Sequence, residues 1–198
     1  MGFALLGLAT ANVIGVSGAV LQMFSHGVIA ALLFAVAGRM IYRRTHTREL
    51  DTLSTMALGR ALPFAAFSFV IASAASIGIP GFSGFAAEIM ILIGTWKTYP
   101  LAVWITGAGM VLVAAFTLRA LKQSFFGEAL ANGGTTSVSS QKITDLGSPN
   151  PQTLPPLTLA EKLGASLLML ATLAVGLYPK LLLDRIMPAV EAMRFLTK

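Results

Sequence analysis

Residues 62–98 read LPFAAFSFVIASAASIGIPGFSGFAAEIMILIGTWKT, an apolar stretch with one acidic residue, Glu88, and an Ile79-Pro80-Gly81 step near its middle. The step divides the stretch into two pieces, each shorter than the about 20 residues that a helix needs to cross a bilayer. Proline removes an amide donor and glycine allows turn conformations, so one continuous helix is not expected. We interpret the stretch as a discontinuous membrane span, in which interrupted helices end near the membrane midplane. A re-entrant hairpin is the alternative.

The composition of the whole chain is that of a membrane protein. Of the 198 residues, 56% are hydrophobic and 11% are charged, with a mean hydropathy of +0.79, whereas soluble domains carry roughly 25% charged residues. The net charge of +6 would suggest nucleic acid as a partner of a soluble protein. Here the basic residues cluster between apolar segments, so the predicted partner is the lipid bilayer and not nucleic acid.

The absence of cysteine excludes several kinds of chemistry. With no cysteine in the chain, disulfides, thiolate-bound iron–sulfur clusters and thiol nucleophiles are excluded. Two histidines alone cannot build a typical zinc or haem site. The chain also has no phosphate-binding Gly-rich loop, no acidic cluster for metals and no Ser/His/Asp arrangement outside the bilayer. No catalytic site, no cofactor and no metal site is therefore predicted in this chain.

Four membrane spans and an N-terminal partial helix are predicted. A turn is expected at Asn12–Gly18, because an asparagine and two glycines occur there. The predicted segments are, in order, the partial helix Gly2–Ala11 and the spans Gly18–Tyr42, 62–97, Leu101–Leu121 and Ala160–Tyr178. The predicted fold class is an all-α polytopic transmembrane helical bundle with one span broken near Pro80, and residues 1–198 form a single membrane domain.

Polar loops and a C-terminal segment complete this prediction. Residues 39–60 form an arginine-rich loop, and residues 127–157 are rich in Gly, Ser, Thr, Asn and Pro, which predicts a flexible extramembrane loop. The positive-inside rule places the loops 39–60 and 119–162 on the cytoplasmic face and the C-terminus outside. Apolar residues recur at helical spacing over Leu181–Lys198, which predicts a helix that either lies in the membrane interface or packs against the core.

Glu88 is the first candidate for a functional role. An ionisable group at the centre of a membrane helix costs at least about 2.5–3.5 kcal/mol and is usually functional. Glu88 follows the helix break, where Gly78, Pro80 and Gly81 leave backbone groups that ordered water can satisfy. A carboxyl group beside a hydrated break can load and release a proton, because burial disfavours its charged form while water or a nearby cation favours it. The structural alternative is a glutamate that caps a helix or pairs with an arginine.

His26 is the second candidate. It lies near the middle of its predicted span, and histidine titrates close to physiological pH. His26 and Glu88 are therefore the predicted proton-relay residues. The alternative is a neutral histidine that joins two helices through a hydrogen bond to a carbonyl or to a hydroxyl such as that of Ser25.

Several stretches of the sequence resemble one family of membrane subunits. They are residues 1–8 (MGFALLGL), 18–27 (GAVLQMFSHG), 31–34 (ALLF), 44–48 (RTHTR), 79–92 (IPGFSGFAAEIMIL), 125–127 (FFG) and 176–179 (GLYP). Together they closely resemble the C-terminal part of the antiporter-like chain 4 (M-type) subunit of proton-pumping NADH:quinone oxidoreductase, respiratory complex I. The resemblance covers nearly the whole chain except residues 128–157. The His-Thr-Arg loop favours this subunit over its two sister subunits.

The resemblance implies a proton-translocating, multi-pass subunit of a bacterial cell membrane. Its partners would be other membrane subunits, with NADH and quinone bound elsewhere in the complex. It also implies that Glu88 is the terminal relay carboxylate of the second half-channel and that His26 is the mid-membrane histidine of the preceding helix. The first ten or so helices of the family have no counterpart in the 198 residues. The chain alone is therefore not expected to pump protons.

Two further hypotheses remain open. Multisubunit cation/proton antiporters and membrane hydrogenases share the implied fold and many of these motifs, and neighbouring genes would distinguish them from a quinone oxidoreductase. The other hypothesis is a non-pumping structural remnant that packs against partner helices. It predicts that Glu88 and His26 tolerate substitution.

Overall fold

The computed structural model describes residues 1–55, 58–125 and 154–193, which are helical apart from short connections. The helices are α1 (Gly2–Ala9), α2 (Val13–Phe34), α3 (Arg43–Thr45), α4 (Leu50–Thr55), α5 (Leu58–Ala61), α6 (Pro63–Ile77), α7 (Ser83–Thr98), α8 (Pro100–Phe125), α9 (Leu159–Leu177) and α10 (Lys180–Glu191). A π-helical segment, Ala35–Tyr42, joins α2 to α3 without interruption. The predicted loop 127–157 lies outside the described residues except for residues 154–157.

The helices confirm the predicted fold class. Among the described residues, three helical stretches are long and apolar enough to cross a membrane, namely Val13–Thr45, Pro100–Phe125 and Leu159–Leu177. The helices α6 and α7 have 15 and 16 residues, and each alone is short of a full crossing. Together they form the predicted broken span. The chain is an integral membrane protein of the all-α polytopic class.

The first turn lies earlier than predicted. Residues Thr10–Asn12, rather than Asn12–Gly18, separate α1 from α2. Asn12 is the N-cap of α2, because its Oδ1 accepts a hydrogen bond from the Gly15 N–H at 2.8 Å. Its Nδ2 donates to the Gly94 carbonyl at 2.9 Å. The asparagine thus begins the helix and also attaches the turn to α7.

The described residues of the segment 39–60 are largely helical, which corrects the loop prediction. Helical structure continues through the π-helical segment to Thr45, and the short helices α4 and α5 follow. The last carbonyls of a helix have no intrahelical donor. Here Arg44 supplies one, since its side chain donates to the carbonyls of Arg39 and Met40 at 3.1 Å each. His46 then ends the helix in the left-handed conformation, with φ 53°.

The two ends of the bundle differ in chemistry. At one end, around the turn between α7 and α8, the rings of Trp96 and Trp104 lie 6.5 Å apart and are largely exposed. Indole rings in such positions are typical of the membrane boundary. At the other end, Met40, Phe125 and Ala165 belong to one apolar cluster that joins the end of the π-helical segment, the end of α8 and the first turns of α9. The segments that carry most arginines therefore share one side of the bundle.

The C-terminal helix packs against the bundle. Val190 of α10 is buried against Val16 of α2, with Val13 and Ile186 beside them. Of the two arrangements predicted for this segment, the described residues of α10 adopt the core-packed one.

Glycines let α2 and α7 approach closely. A Cβ atom added at Gly94 would lie 2.6 Å from the Gly15 nitrogen, and one added at Gly18 would lie 2.9 Å from the Ile91 nitrogen. Small residues allow this close backbone contact between membrane helices. The glycines that suggested a turn from the sequence therefore serve helix packing instead.

We expect Gly94→Ala to destabilise the protein by about 1–3 kcal/mol, because the new methyl group would overlap the α2 backbone. Gly107→Ala is the matched control, since a Cβ at this helical position meets nothing within 4 Å. Thermal unfolding of the detergent-solubilised protein measures both changes. Equal midpoints for the two variants would contradict the close packing of α2 on α7.

Candidate functional site

The helix break lies between α6 and α7. Gly78 ends α6 in the left-handed conformation with φ 81°, and Gly81 follows with φ 101°. Such backbone conformations favour glycine because a Cβ atom would be strained. Pro80 lies between them, and the Ile79 amide bonds back to the Ala74 carbonyl at 3.1 Å. The three residues predicted to break the helix all lie in this non-helical link.

The last span covers the break from one side. A Cβ atom added at Gly176 of α9 would contact the Gly81 carbonyl oxygen and the Phe82 backbone. One helical turn away, the Thr172 and Ser83 hydroxyls form a hydrogen bond of 3.0 Å, and both side chains are fully buried. The bond joins α9 to the first turn of α7. The second half of the broken span is therefore held at its start by the last span.

Glu88 faces the end of the first half-helix. The side chain is 7% exposed, and its Oε2 atom lies so close to Gly78 that a Cβ atom there would contact it. Oε2 is buried and accepts no hydrogen bond from the described residues. Glu88 also forms no ion pair with any described residue. The salt bridges among the described residues join Arg39 and Arg44 to Glu161. The alternative of a glutamate paired with an arginine is therefore not seen.

Further buried polar atoms lie on the helices next to Glu88. Gly15 lies opposite Gly94, Gly18 opposite Ile91, and the Ile29 side chain near Gly84, so residues 22–26 of α2 lie opposite about residues 84–88, with Gln22 at the level of Glu88. Buried side-chain atoms of α2 and α6 without a hydrogen-bond partner among the described residues are Ser17 Oγ, Gln22 Oε1, Ser25 Oγ and Ser73 Oγ. Leaving such an atom unpaired costs about 1–3 kcal/mol.

His26 lies on α2 one turn after Gln22 and is half-buried. Among the described residues it has no hydrogen bond, and none joins it to Glu88. The Ser25 hydroxyl likewise has no partner, so the alternative in which Ser25 holds the imidazole is not seen. The structure thus places His26 about one helical turn away from the level of Glu88 and brings only Glu88 into contact with the break.

Sequence reasoning missed Ser17, Gln22 and Ser73 as buried polar residues, and it considered Ser25 only as a partner of His26. A signal was present, because Ser17, Gln22 and Ser25 interrupt an otherwise apolar helix, and Gln22 and Ser25 are three residues apart and so share a face. The buried ion pair of Arg44 was missed as well. Arg44 and Glu161 have side chains that are each 5% exposed and lie 2.8 Å apart, but they are separated by more than a hundred residues in sequence.

A substitution at Gly78 tests the contact between the break and Glu88. We expect Gly78→Ala to cost about 1–2 kcal/mol for the left-handed backbone and also to displace the Glu88 carboxylate. Gly81→Ala is the control, because it has a positive φ but a Cβ there meets nothing within 4 Å. Thermal unfolding should show a loss for both variants. The loss should be larger for Gly78→Ala, because its Cβ atom also meets the Glu88 carboxylate, and an equal loss for both variants would contradict the contact.

The structure also shows what this region lacks. Among residues 1–55, 58–125 and 154–193, no group of three or more His, Asp or Glu side chains is arranged to hold a metal ion. The polar groups described above on α2, α6 and α7 are hydroxyls, an amide, a carboxyl and an imidazole. Such groups can donate, accept and exchange protons.

Solved structures share this fold. The chain superposes on a chain of respiratory complex I from Thermus thermophilus with bound NADH, with a TM-score of 0.80 and 27% identity, covering 100% of this chain and 37% of that one. It also superposes on a chain of the Mrp complex from Dietzia sp. DQ12-45-1b, with a TM-score of 0.68 and 26% identity, covering 98% of this chain and 42% of that one.

Sequence relatives agree with this likeness. The chain is 35% identical over 187 residues to NAD(P)H-quinone oxidoreductase chain 4 1 of Synechococcus elongatus, covering 91% of this chain and 31% of that protein. It is 40% identical over 133 residues to NAD(P)H-quinone oxidoreductase chain 4 2 of Trichodesmium erythraeum, covering 64% of this chain and 23% of that protein. The chain thus spans about a third or less of the length of these relatives.

The fold and the site define a polytopic α-helical membrane protein with one discontinuous span. The model of the family "NADH:quinone oxidoreductase/Mrp antiporter, TM" matches residues 1–115. The chain belongs to this family. The predicted resemblance to chain 4 of quinone oxidoreductases is confirmed.

Proposed function

We propose that this chain is the part of a proton-translocating membrane subunit that contains the second half-channel, in an NAD(P)H:quinone oxidoreductase. Glu88 takes up and releases a proton beside the helix break, and His26 exchanges protons with it through water. Nicotinamide and quinone chemistry takes place in partner subunits, and this chain holds no cofactor. The complex lies in a bacterial cell membrane, with the arginine-rich side of the bundle in the cytoplasm.

One observation carries this proposal, the position of the Glu88 carboxyl. It is 7% exposed, its Oε2 atom has no hydrogen bond from the described residues, and it lies against the end of a broken helix. A structural glutamate in a membrane span is normally paired. A carboxyl group with an unused oxygen can instead bind a proton or a water molecule.

The partnerless hydroxyls and amide support a water-mediated path. Buried polar groups without protein partners are commonly satisfied by internal water. Gln22 and Ser25 lie on α2 between the level of Glu88 and His26, while Ser73 lies on α6 before the break. Water bound to these atoms would connect the imidazole to the carboxylate without a direct hydrogen bond.

Membership of an Mrp-like antiporter is the second candidate. The TM-score of 0.68 with a chain of the Mrp complex favours it. Both candidates use proton exchange at Glu88. They differ in the process to which proton exchange is coupled. In an oxidoreductase this process is electron transfer, and in an antiporter it is the movement of another cation.

Deletion of the gene in the cell that encodes it separates these candidates. Inverted membrane vesicles are supplied with NAD(P)H and a quinone, and acidification of the lumen is followed with a pH-sensitive dye. We expect the deletion to abolish NAD(P)H-driven acidification and a plasmid copy to restore it. If the deletion instead removes only Na⁺- or K⁺-driven proton movement, the antiporter assignment replaces this one. If neither changes, proton transport by this chain is excluded.

A further inference from the structure

A cavity of about 330 Å³ lies between the π-helical segment and the start of the last span. One wall is formed by Ala35, Arg39 and Met40, and the other includes Thr158, Gly164 and Leu168. It is distant in sequence from the helix break and lies at the arginine-rich end of the bundle. Its lining does not include Glu88, His26 or the residues of the break.

The lining of this cavity changes from polar to apolar along the membrane normal. Thr158 caps α9, and Leu168 lies about 15 Å further along the chain direction of the helix at 1.5 Å per residue. Arg39 lies on the same side as Thr158, and Ala35 lies one turn deeper in the span. The polar rim therefore lies at the charged end of the two spans, where a lipid headgroup would lie, and the apolar floor lies further along the spans, where an acyl chain would lie.

The charge at the rim is positive. The Glu161 carboxylate in the wall is neutralised by Arg44, whose Nη2 lies 2.8 Å from its Oε2. Arg39 lies further away, with its Nε atom 3.8 Å from Glu161 Oε1, and its side chain is 67% exposed. Among the described residues the Arg39 guanidinium donates no hydrogen bond. Lys162, which is exposed and follows Glu161 in sequence, adds to the positive charge.

We propose that this cavity binds an anionic phospholipid, with its phosphate on Arg39 and an acyl chain along Ala35 and Leu168. A guanidinium group forms strong, charge-assisted hydrogen bonds to phosphate oxygens. The apolar floor distinguishes a lipid from a free anion, because a free anion gains nothing from it. The proposal does not depend on proton transport by Glu88.

Photo-crosslinking in the purified membrane complex tests the site. The probe is a phosphatidylglycerol with a diazirine on one acyl chain, reconstituted in nanodiscs of phosphatidylcholine. We expect it to label the tryptic peptide Leu163–Lys180, and unlabelled phosphatidylglycerol should compete while added phosphatidylcholine and inorganic phosphate should not. Competition by phosphate as strong as that by the lipid would overturn the lipid assignment.

Two variants locate the phosphate and the acyl chain. Arg39→Gln should weaken competition by phosphatidylglycerol roughly tenfold, the effect of losing one charge-assisted interaction of about 1.4 kcal/mol. Gly164→Phe should abolish labelling, because a Cβ at Gly164 meets nothing within 4 Å and the ring can fill the cavity. Arg43→Gln is the control, as this exposed arginine does not line the cavity. Labelling that all three variants leave unchanged would show that the lipid binds elsewhere.

Discussion

Replacing Glu88 by glutamine is expected to lower proton translocation by the assembled complex by about 10²-fold or more, the usual contribution of a proton-transferring side chain. The amide has nearly the size of the carboxyl group, so the contact with Gly78 is preserved. It cannot take up and release a proton, so the relay ends at this residue. The measurement is the initial rate of lumen acidification per NAD(P)H oxidised in inverted vesicles.

The control for this experiment is Glu49→Gln, which removes an exposed carboxylate outside the spans. Native gel electrophoresis shows whether each variant still assembles. Glu88→Asp should retain part of the activity, because it keeps the carboxyl group but withdraws it from the break. An unchanged ratio of protons to NAD(P)H in Glu88→Gln would exclude the relay role and favour the non-pumping hypothesis.

Replacing Arg44 by alanine is expected to destabilise the protein by about 3–5 kcal/mol, the cost of leaving a buried charge without its partner. Arg44 uses all five of its N–H donors. They bond to the Glu161 carboxylate and to the carbonyls of Arg39, Met40, Pro155 and Pro156, at distances between 2.8 and 3.1 Å. The residue therefore joins the end of the first span to the approach to the last one. Thermal unfolding in detergent measures the loss.

Companion variants separate the ion pair from general effects on this surface. Arg43→Ala is the control, because Arg43 is exposed and adjacent in sequence. Arg44→Lys should recover little, since a lysine cannot match the planar fork of five donors. The double variant Arg44→Met with Glu161→Gln removes both charges, and it should be more stable than Arg44→Ala because no buried charge remains. A midpoint of Arg44→Ala equal to that of Arg43→Ala would contradict this account.

The break and its glutamate could be predicted because their signals are local. A proline between two glycines interrupts a helix wherever it occurs, and one carboxyl group in a long apolar stretch is visible in the sequence. The last two spans were predicted within a few residues for the same reason, since their apolar runs end at charged residues or prolines.

The errors came from glycine and arginine, whose roles depend on distant residues. Gly15 and Gly18 suggested a turn, but they lie inside α2, where the α7 backbone packs against them. The segment after Arg39 suggested a loop, but Arg44 and its long-range partners keep it helical to Thr45. The α7 backbone that packs against the glycines and the residues that bond to Arg44 are both distant in sequence. They cannot be identified from the residues next to these positions.

The sequence alone determined that this is an all-helical membrane protein with a span broken at residues 78–82, and its motifs identified the family. These properties follow from hydropathy and from the backbone preferences of single residues, which act over a few positions. Only the tertiary structure decided that the Glu88 carboxyl lies against Gly78, that the last span covers the break, and that Arg44 is buried with Glu161. These arrangements depend on contacts between residues far apart in the chain, and packing of whole helices determines which of them form.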